Sequence, residues 1–209
     1  MADIDDLVAR LAQDAAAVKP APHPFVLSLK WMGMAAIYLL VSLAVSGLRP
    51  DWADKLHSPM YVAEIAALLA IFASTTLTSA LLAFPDMHQK ARLALAPLFA
   101  LLLLILLLGV QLGDPPAPLP VHSFECTLSI TAVSLLPMVW TLVLMRNYAS
   151  THCSLAGSVA LLSSFSVGAL WLRLHEVNDS ILHVIEWHYL PMLLVGCIGM
   201  WLGKKILKW

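Results

Sequence analysis

Imidazole, carboxylate and thiol groups collect in the polar breaks between long apolar runs. His122, Glu125 and Cys126 stand just before one run, and His175, Glu176, Asp179 and His183 lie between two others, with Glu186 and His188 following. These side chains are the ligand set of zinc and related metals. His183 and Glu186 are three apart and would share a helical face, as would His175 and Asp179 if the preceding helix continued that far. Metal or redox sensing at this rim is one reading, with a divalent metal ion as its cofactor. Plain solvation of a polar rim is the other. The run HVIEWH (183–188) spaces its groups as HxxExH, not the HExxH of a metalloprotease helix. No nucleophile and base fall at one depth, so no enzymatic activity is expected. Cys126, Cys153 and Cys197 lie far apart without a CxxC pair and give no disulfide framework. Glu64 sits early in an apolar run, where an ionisable group is a functional candidate by default. Its alternative role is structural, paired with Arg49 or Arg173.

The elements that must position these groups are membrane spans. Mean hydropathy is +0.84, 60% of residues are hydrophobic and 12% are charged, against roughly 25% charged in soluble domains. Six stretches reach the length of about 20 apolar residues that a spanning helix needs: 29–48, 60–84, 93–112, 128–145, 155–174 and 184–202. The expected fold is an all-α six-helix transmembrane bundle (29–209) preceded by a short cytoplasmic segment (1–28), because isolated spans must satisfy their own backbone. With the N-terminus inside, the inner loops carry Arg10, Lys19, Lys30, Lys90, Arg92, Arg146, Lys204, Lys205 and Lys208. The outer loops carry only Arg49, Lys55 and Arg173. This imbalance favours N-in and C-in. The acidic N-terminus lacks the features of a cleavable signal peptide. The third run, LLLLILLL at 101–108, is expected to face lipid, and the hydroxyls of Ser74–Ser79 and of Ser158, Ser163, Ser164 and Ser166 to allow close helix approach. Pro97 and Pro137 should kink their spans. Gly199 and Gly203 form a GxxxG step that serves either packing within the chain or a homodimer.

The short tail has its own pattern. In residues 3–17, Ile4, Leu7, Val8, Leu11 and Ala15 recur at helical spacing and make one apolar face. Asp3, Asp5 and Asp6 occupy the first turn, where carboxylates suit a helix N-terminus. Pro20–Pro24 ends the helix in a hinge. A helix this short is marginal alone in water and needs a surface. The bundle, the lipid interface and a partner groove read through i, i+3, i+4 and i+7 anchors are the three available. The acidic polar face disfavours lipid and suits a basic partner.

The carboxyl-terminal half carries a resemblance. CTLSI and SLLP within 126–137, LVLMRNYA (142–149), SLAGSVALL (154–162), LHEVNDS (174–180), HVIEWHYLPM (183–192) and the terminal GMWLGKKILKW (199–209) follow one another in the order found in the NrsF family. The chain resembles these six-span inner-membrane anti-sigma factors over nearly its whole length. The resemblance implies a bacterial inner-membrane protein whose tail holds an extracytoplasmic-function sigma factor through Ile4, Asp5, Leu7, Val8 and Leu11, makes no nucleic-acid contact of its own, and releases its partner on envelope stress. It further implies outward-facing cysteines that sense metal or oxidant. One falls at Cys126, and Glu176 stands where the second is expected, so a thiol pair is replaced by a mixed set of Cys126, His175, Glu176 and Asp179. A small metal-handling or transport protein built on the same rim is the alternative function.

Overall fold

The computed structural model describes residues 4–14, 21–85, 92–112 and 124–208. All regular structure among them is helical: α1 (Ile4–Asp14), α2 (Pro24–Ser46), a single turn α3 (Trp52–Lys55), α4 (Pro59–Leu82), α5 (Ala96–Gln111) after a 3₁₀ turn at Leu93–Leu95, α6 (Phe124–Met145), α7 (Cys153–His175), and a last segment made of α8 (Ile181–His183), a π-helical turn (Val184–Tyr189) and α9 (Leu190–Ile206). Among the described residues, six helical segments are long and apolar enough to cross a membrane.

Helix starts follow local chemistry. The Ser58 side chain accepts from the Tyr61 N–H and Pro59 opens α4, where its missing N–H costs nothing. His23 and Pro24 do the same for α2. Pro97 was expected to kink its span, but α5 begins at Ala96, so this proline sits in a first turn that tolerates it. Helix α6 starts at Phe124, earlier than the run at 128, which places Glu125 and Cys126 inside its first turn.

Helix α7 is the central post, buried along almost its entire length, and α2, α4, α6 and α9 pack around it. Helix α5 buries only Pro97, Ala100, Leu104 and Leu108, a single stripe against α4, half-buries Leu101 and Leu107, and exposes Leu98, Leu102, Leu103 and Leu106 as a lipid-facing helix would. The tightest approach is α7 on α9. A Cβ on Gly199 would lie 2.6 Å from the Gly157 carbonyl oxygen, and one on Gly203 would lie 2.8 Å from the Gly157 Cα. The GxxxG step is therefore spent on packing within the chain, and this face is not open for the homodimer that was its other reading.

Most of the hydroxyls bond to carbonyls of their own helix, as Thr75 does to Ile71, Ser79 to Thr75 and Ser164 to Ala160. Thr76 and Ser163 join α4 to α7 at 2.7 Å, and the Ser46 hydroxyl on α2 accepts from Trp171 Nε1 on α7 at 2.9 Å. Two further interhelical bonds answer prolines. Pro137 cannot donate to the Val133 carbonyl, and the Tyr38 hydroxyl on α2 donates there at 2.8 Å. Pro191 cannot donate to the Trp187 carbonyl, and the Thr127 hydroxyl on α6 does so at 2.6 Å. An unpaired carbonyl in an apolar setting is costly, so each proline fixes a neighbour.

Candidate functional site

One end of the bundle gathers residues 47–58, the start of α6, the end of α7 and residues 176–189. Two polar assemblies meet there. The first is ionic. The Glu64 carboxylate, on α4 and 1% exposed, accepts from Arg173 on α7 at 2.9 Å through both oxygens, and from the Tyr189 hydroxyl. Arg173 also donates to Asp179 at 2.7 Å. Asp179 takes a further pair of bonds from Arg49 and an ion pair from Lys55, while Arg49 grips Asp51 through both oxygens at 2.7 and 3.0 Å. The Tyr61 ring lies against both guanidiniums, 5.4 Å from Arg49 and 5.1 Å from Arg173. The glycine that follows α2 completes the clasp: Gly47 takes φ +86°, and its carbonyl contacts His175 Nδ1 at 2.9 Å.

Of the two partners open to Glu64, Arg173 is the direct one, and Arg49 joins through Asp179. Partial burial pushes the Asp179 carboxyl up, but hydrogen bonds from Arg49, Lys55 and Arg173 outweigh it and hold the group well below the usual carboxylate range. A hydrogen bond from Arg49 likewise lowers Asp51, and these two carboxylates raise Arg49. A depressed carboxylate contributes stability above its unfolded value, about 3.9, and loses it as pH falls towards the folded one. The share of stability that Asp179 supplies should therefore be lost below about pH 4, and Asp179→Asn should shrink that acid-side fall of the thermal midpoint in detergent.

The second assembly is Cys126, His183 and His188, whose ligand atoms all lie within 4.8 Å of one another. Cys126 Sγ is 3.5 Å from His183 Nε2, and the two imidazole rings stand 5.0 Å apart at 78°. Both histidines are 1% exposed. Neither nitrogen of His188, nor Nδ1 of His183, has a hydrogen-bond partner among the described residues.

The remaining rim residues part company. Helix α7 stops at His175 with Glu176 in extended conformation, so Asp179 does not share a helical face with His175 but turns into the arginines. His175 stacks on Trp171, with centroids 5.1 Å apart. Glu176 accepts from the Val177 and Asn178 N–H groups, and Glu125 is exposed. The mixed set of Cys126, His175, Glu176 and Asp179 is thus not assembled as one site. His122 lies outside the described residues. His183 does not pair with Glu186, because the segment is π-helical there.

The roles of Asp51 and Tyr61, and the meeting of His188 with His183 and Cys126, escape a reading of spacing. For His188 the signal was Pro191, which disrupts α-helical bonding one turn earlier. For the ionic residues it was charge balance among the polar segments that hold Arg49, Asp51, Lys55, Arg173 and Asp179.

At the opposite end of the chain, α1 exposes its whole apolar face: Ile4 75%, Leu7 56%, Val8 57% and Leu11 62%. Asp5 belongs to the same helix, and Asp6 pairs with Arg10 at 2.7 Å one turn on. The bundle does not supply the surface this face needs.

Comparison with known proteins gives one family. The model of NrsF, negative regulator of sigma F, matches residues 11–209, which is the whole bundle and the end of α1 from Leu11. Neither a curated protein nor a solved structure matches the chain. With that match over nearly its full length, the chain belongs to the NrsF family, the negative regulators of a sigma factor.

Proposed function

We propose that this protein is an anti-sigma factor embedded in the bacterial inner membrane, N-in and C-in, that captures an extracytoplasmic-function sigma factor on α1. Ile4, Leu7, Val8 and Leu11 enter a groove of the partner, and Asp5 meets basic surface at its rim. The observation that carries this is the exposed apolar face of α1 in a chain of this family. A free amphipathic helix of eleven residues does not hold its shape alone in water; capture supplies the missing surface, and lipid surrounds the remaining spans.

Release follows a metal or oxidative signal at the outer rim that carries Cys126, His175, Glu176, Asp179 and His183. A ligand shifts such an equilibrium only through different affinity for two states of the bundle. Helix α2 is the mechanical link. Its first residue follows the tail, and its far end runs through Gly47 into Arg49, which the ionic cluster holds.

Leu7→Asp/Leu11→Asp in the full-length protein tests capture. Losing a buried anchor costs about 2 kcal/mol or more, so binding should weaken by at least about 30-fold. Co-purification with the sigma factor should be lost and a sigma-dependent reporter should rise. A variant that represses like the parent sinks the tail as the docking element.

A further inference from the structure

We propose that Cys126, His183 and His188 form a three-ligand site for a borderline or soft cation of the zinc class, held where α6 meets the π-helical turn.

Four observations carry it. The ligand atoms converge within 4.8 Å from two separate elements. Bond lengths of about 2.3 Å to sulfur and 2.0–2.1 Å to nitrogen put two tetrahedral ligand atoms about 3.5 Å apart; Cys126 Sγ and His183 Nε2 are 3.5 Å apart. His188 is 1% exposed with both ring nitrogens unpartnered among the described residues. A buried polar group without a partner costs free energy that a metal bond would recover. Finally, the two histidines are brought together by a local distortion. In an α-helix residues five apart point roughly 140° from each other, whereas a π-turn closes i to i+5. Pro191 removes the donor for the Trp187 carbonyl, Thr127 replaces it from α6, and the π-turn at 184–189 is fixed next to Cys126.

The donor set selects the ion. One thiolate and two imidazoles suit zinc-class ions, while calcium and magnesium want oxygen. Three protein ligands leave a fourth position open, as at sites that exchange or sense. The negative charges of Glu176 and Glu186 act on His183, and those of Glu125 and Glu176 on Cys126, which favours a cation; Arg173 opposes from within the bundle. Binding breaks the Cys126 S–H bond, forms the metal–sulfur bond and releases the proton to solvent, with both imidazoles entering neutral. The neighbouring Tyr189 donates to Glu64, so an ion at His188 sits one residue from the ionic cluster.

The binding claim stands on this geometry alone. Only the link between occupancy and sigma-factor release rests on the function proposed above. Metal-free full-length protein in detergent is titrated with Co²⁺ and then Zn²⁺. A single Co²⁺ per chain should bind with sulfur-to-cobalt charge-transfer absorption and the intense visible bands of tetrahedral cobalt, and Zn²⁺ should bleach both. Cys126→Ser should abolish the charge-transfer band. His188→Gln should weaken binding by at least about tenfold, the scale already typical of outer-shell groups. Cys153→Ser and His57→Gln should titrate like the parent. No charge-transfer band, or one that survives Cys126→Ser, overturns the site. If His188→Gln loses its gel-filtration peak or helical signal, alkylation of Cys126 in a Cys153→Ser/Cys197→Ser background decides. Zn²⁺ should slow it, and an unchanged rate overturns the site. Zn²⁺ that binds at Cys126 yet leaves sigma-factor capture unaltered removes the release link and leaves the site standing.

Discussion

Replacing Arg173 by methionine should destabilise the bundle by about 3–5 kcal/mol, the cost of stripping one partner from a buried ion pair. Glu64 is 1% exposed on α4, and its carboxylate faces the Arg173 guanidinium through both oxygens. Without Arg173, the Tyr189 hydroxyl is the hydrogen-bond partner left to the Glu64 carboxylate among the described residues, and Asp179 loses its link to α7. The reverse change, Glu64→Gln, should cost less, because Arg173 keeps Asp179 at 2.7 Å. Glu64→Leu/Arg173→Met should recover part of the loss, since an apolar pair of similar volume carries no uncompensated charge. Unfolding in mixed detergent micelles measures all three variants. A single Arg173→Met variant no less stable than the double one would show that the pair is solvated and does not tie α4 to α7.

Gly203→Leu should separate α7 from α9 and cost more than the usual 1–3 kcal/mol of an overpacked core. The reason is what the new side chain meets. A Cβ there would lie 2.8 Å from the Gly157 Cα and closer still to the Cys153 carbonyl. Both obstacles are backbone, which cannot rotate away as a side-chain tip can. Gly33→Leu is the matched control, because a Cβ at Gly33 meets nothing within 4 Å; it should stay within about 0.5 kcal/mol of the parent. The separation has a direct readout. Cys153 Sγ contacts the Leu207 carbonyl at 3.4 Å, so splitting the two helices should speed maleimide labelling of Cys153 in Gly203→Leu and not in Gly33→Leu. Equal labelling would mean that α7 and α9 are held by contacts other than the glycine step.

Much of the architecture was legible in the sequence because apolar length is a local property. Each run of about 20 apolar residues becomes a helix whatever its neighbours do, since no other backbone arrangement satisfies an isolated span. The leucine-rich run at 101–108 announces an exposed α5 in the same way, and the periodicity of Ile4, Leu7, Val8 and Leu11 announces the face of α1. The ligand-rich end was also legible as a set of residue types. Its internal pairing was not. Glu64 could take Arg49 or Arg173, and helix register decided for Arg173. Asp179 read as a possible ligand beside His175, but α7 ends at His175 and the chain turns Asp179 into the arginines.

What the sequence by itself determined is the list of long apolar helices, the amphipathic tail and which end of the bundle holds thiol, imidazole and carboxylate. Only the tertiary structure decided who meets whom. Three prolines illustrate the reason. Each removes a backbone donor, which is readable from one residue, but the consequence depends on what lies across the gap. Pro97 falls in a first turn and has none. Pro137 draws the Tyr38 hydroxyl to Val133. Pro191 leaves a π-turn whose carbonyl Thr127 completes, and that turn carries His188 round to His183 and Cys126. Hydrogen bonds to orphaned carbonyls, like close glycine contacts and buried ion pairs, are long-range in sequence, and they exist only once the helices are packed.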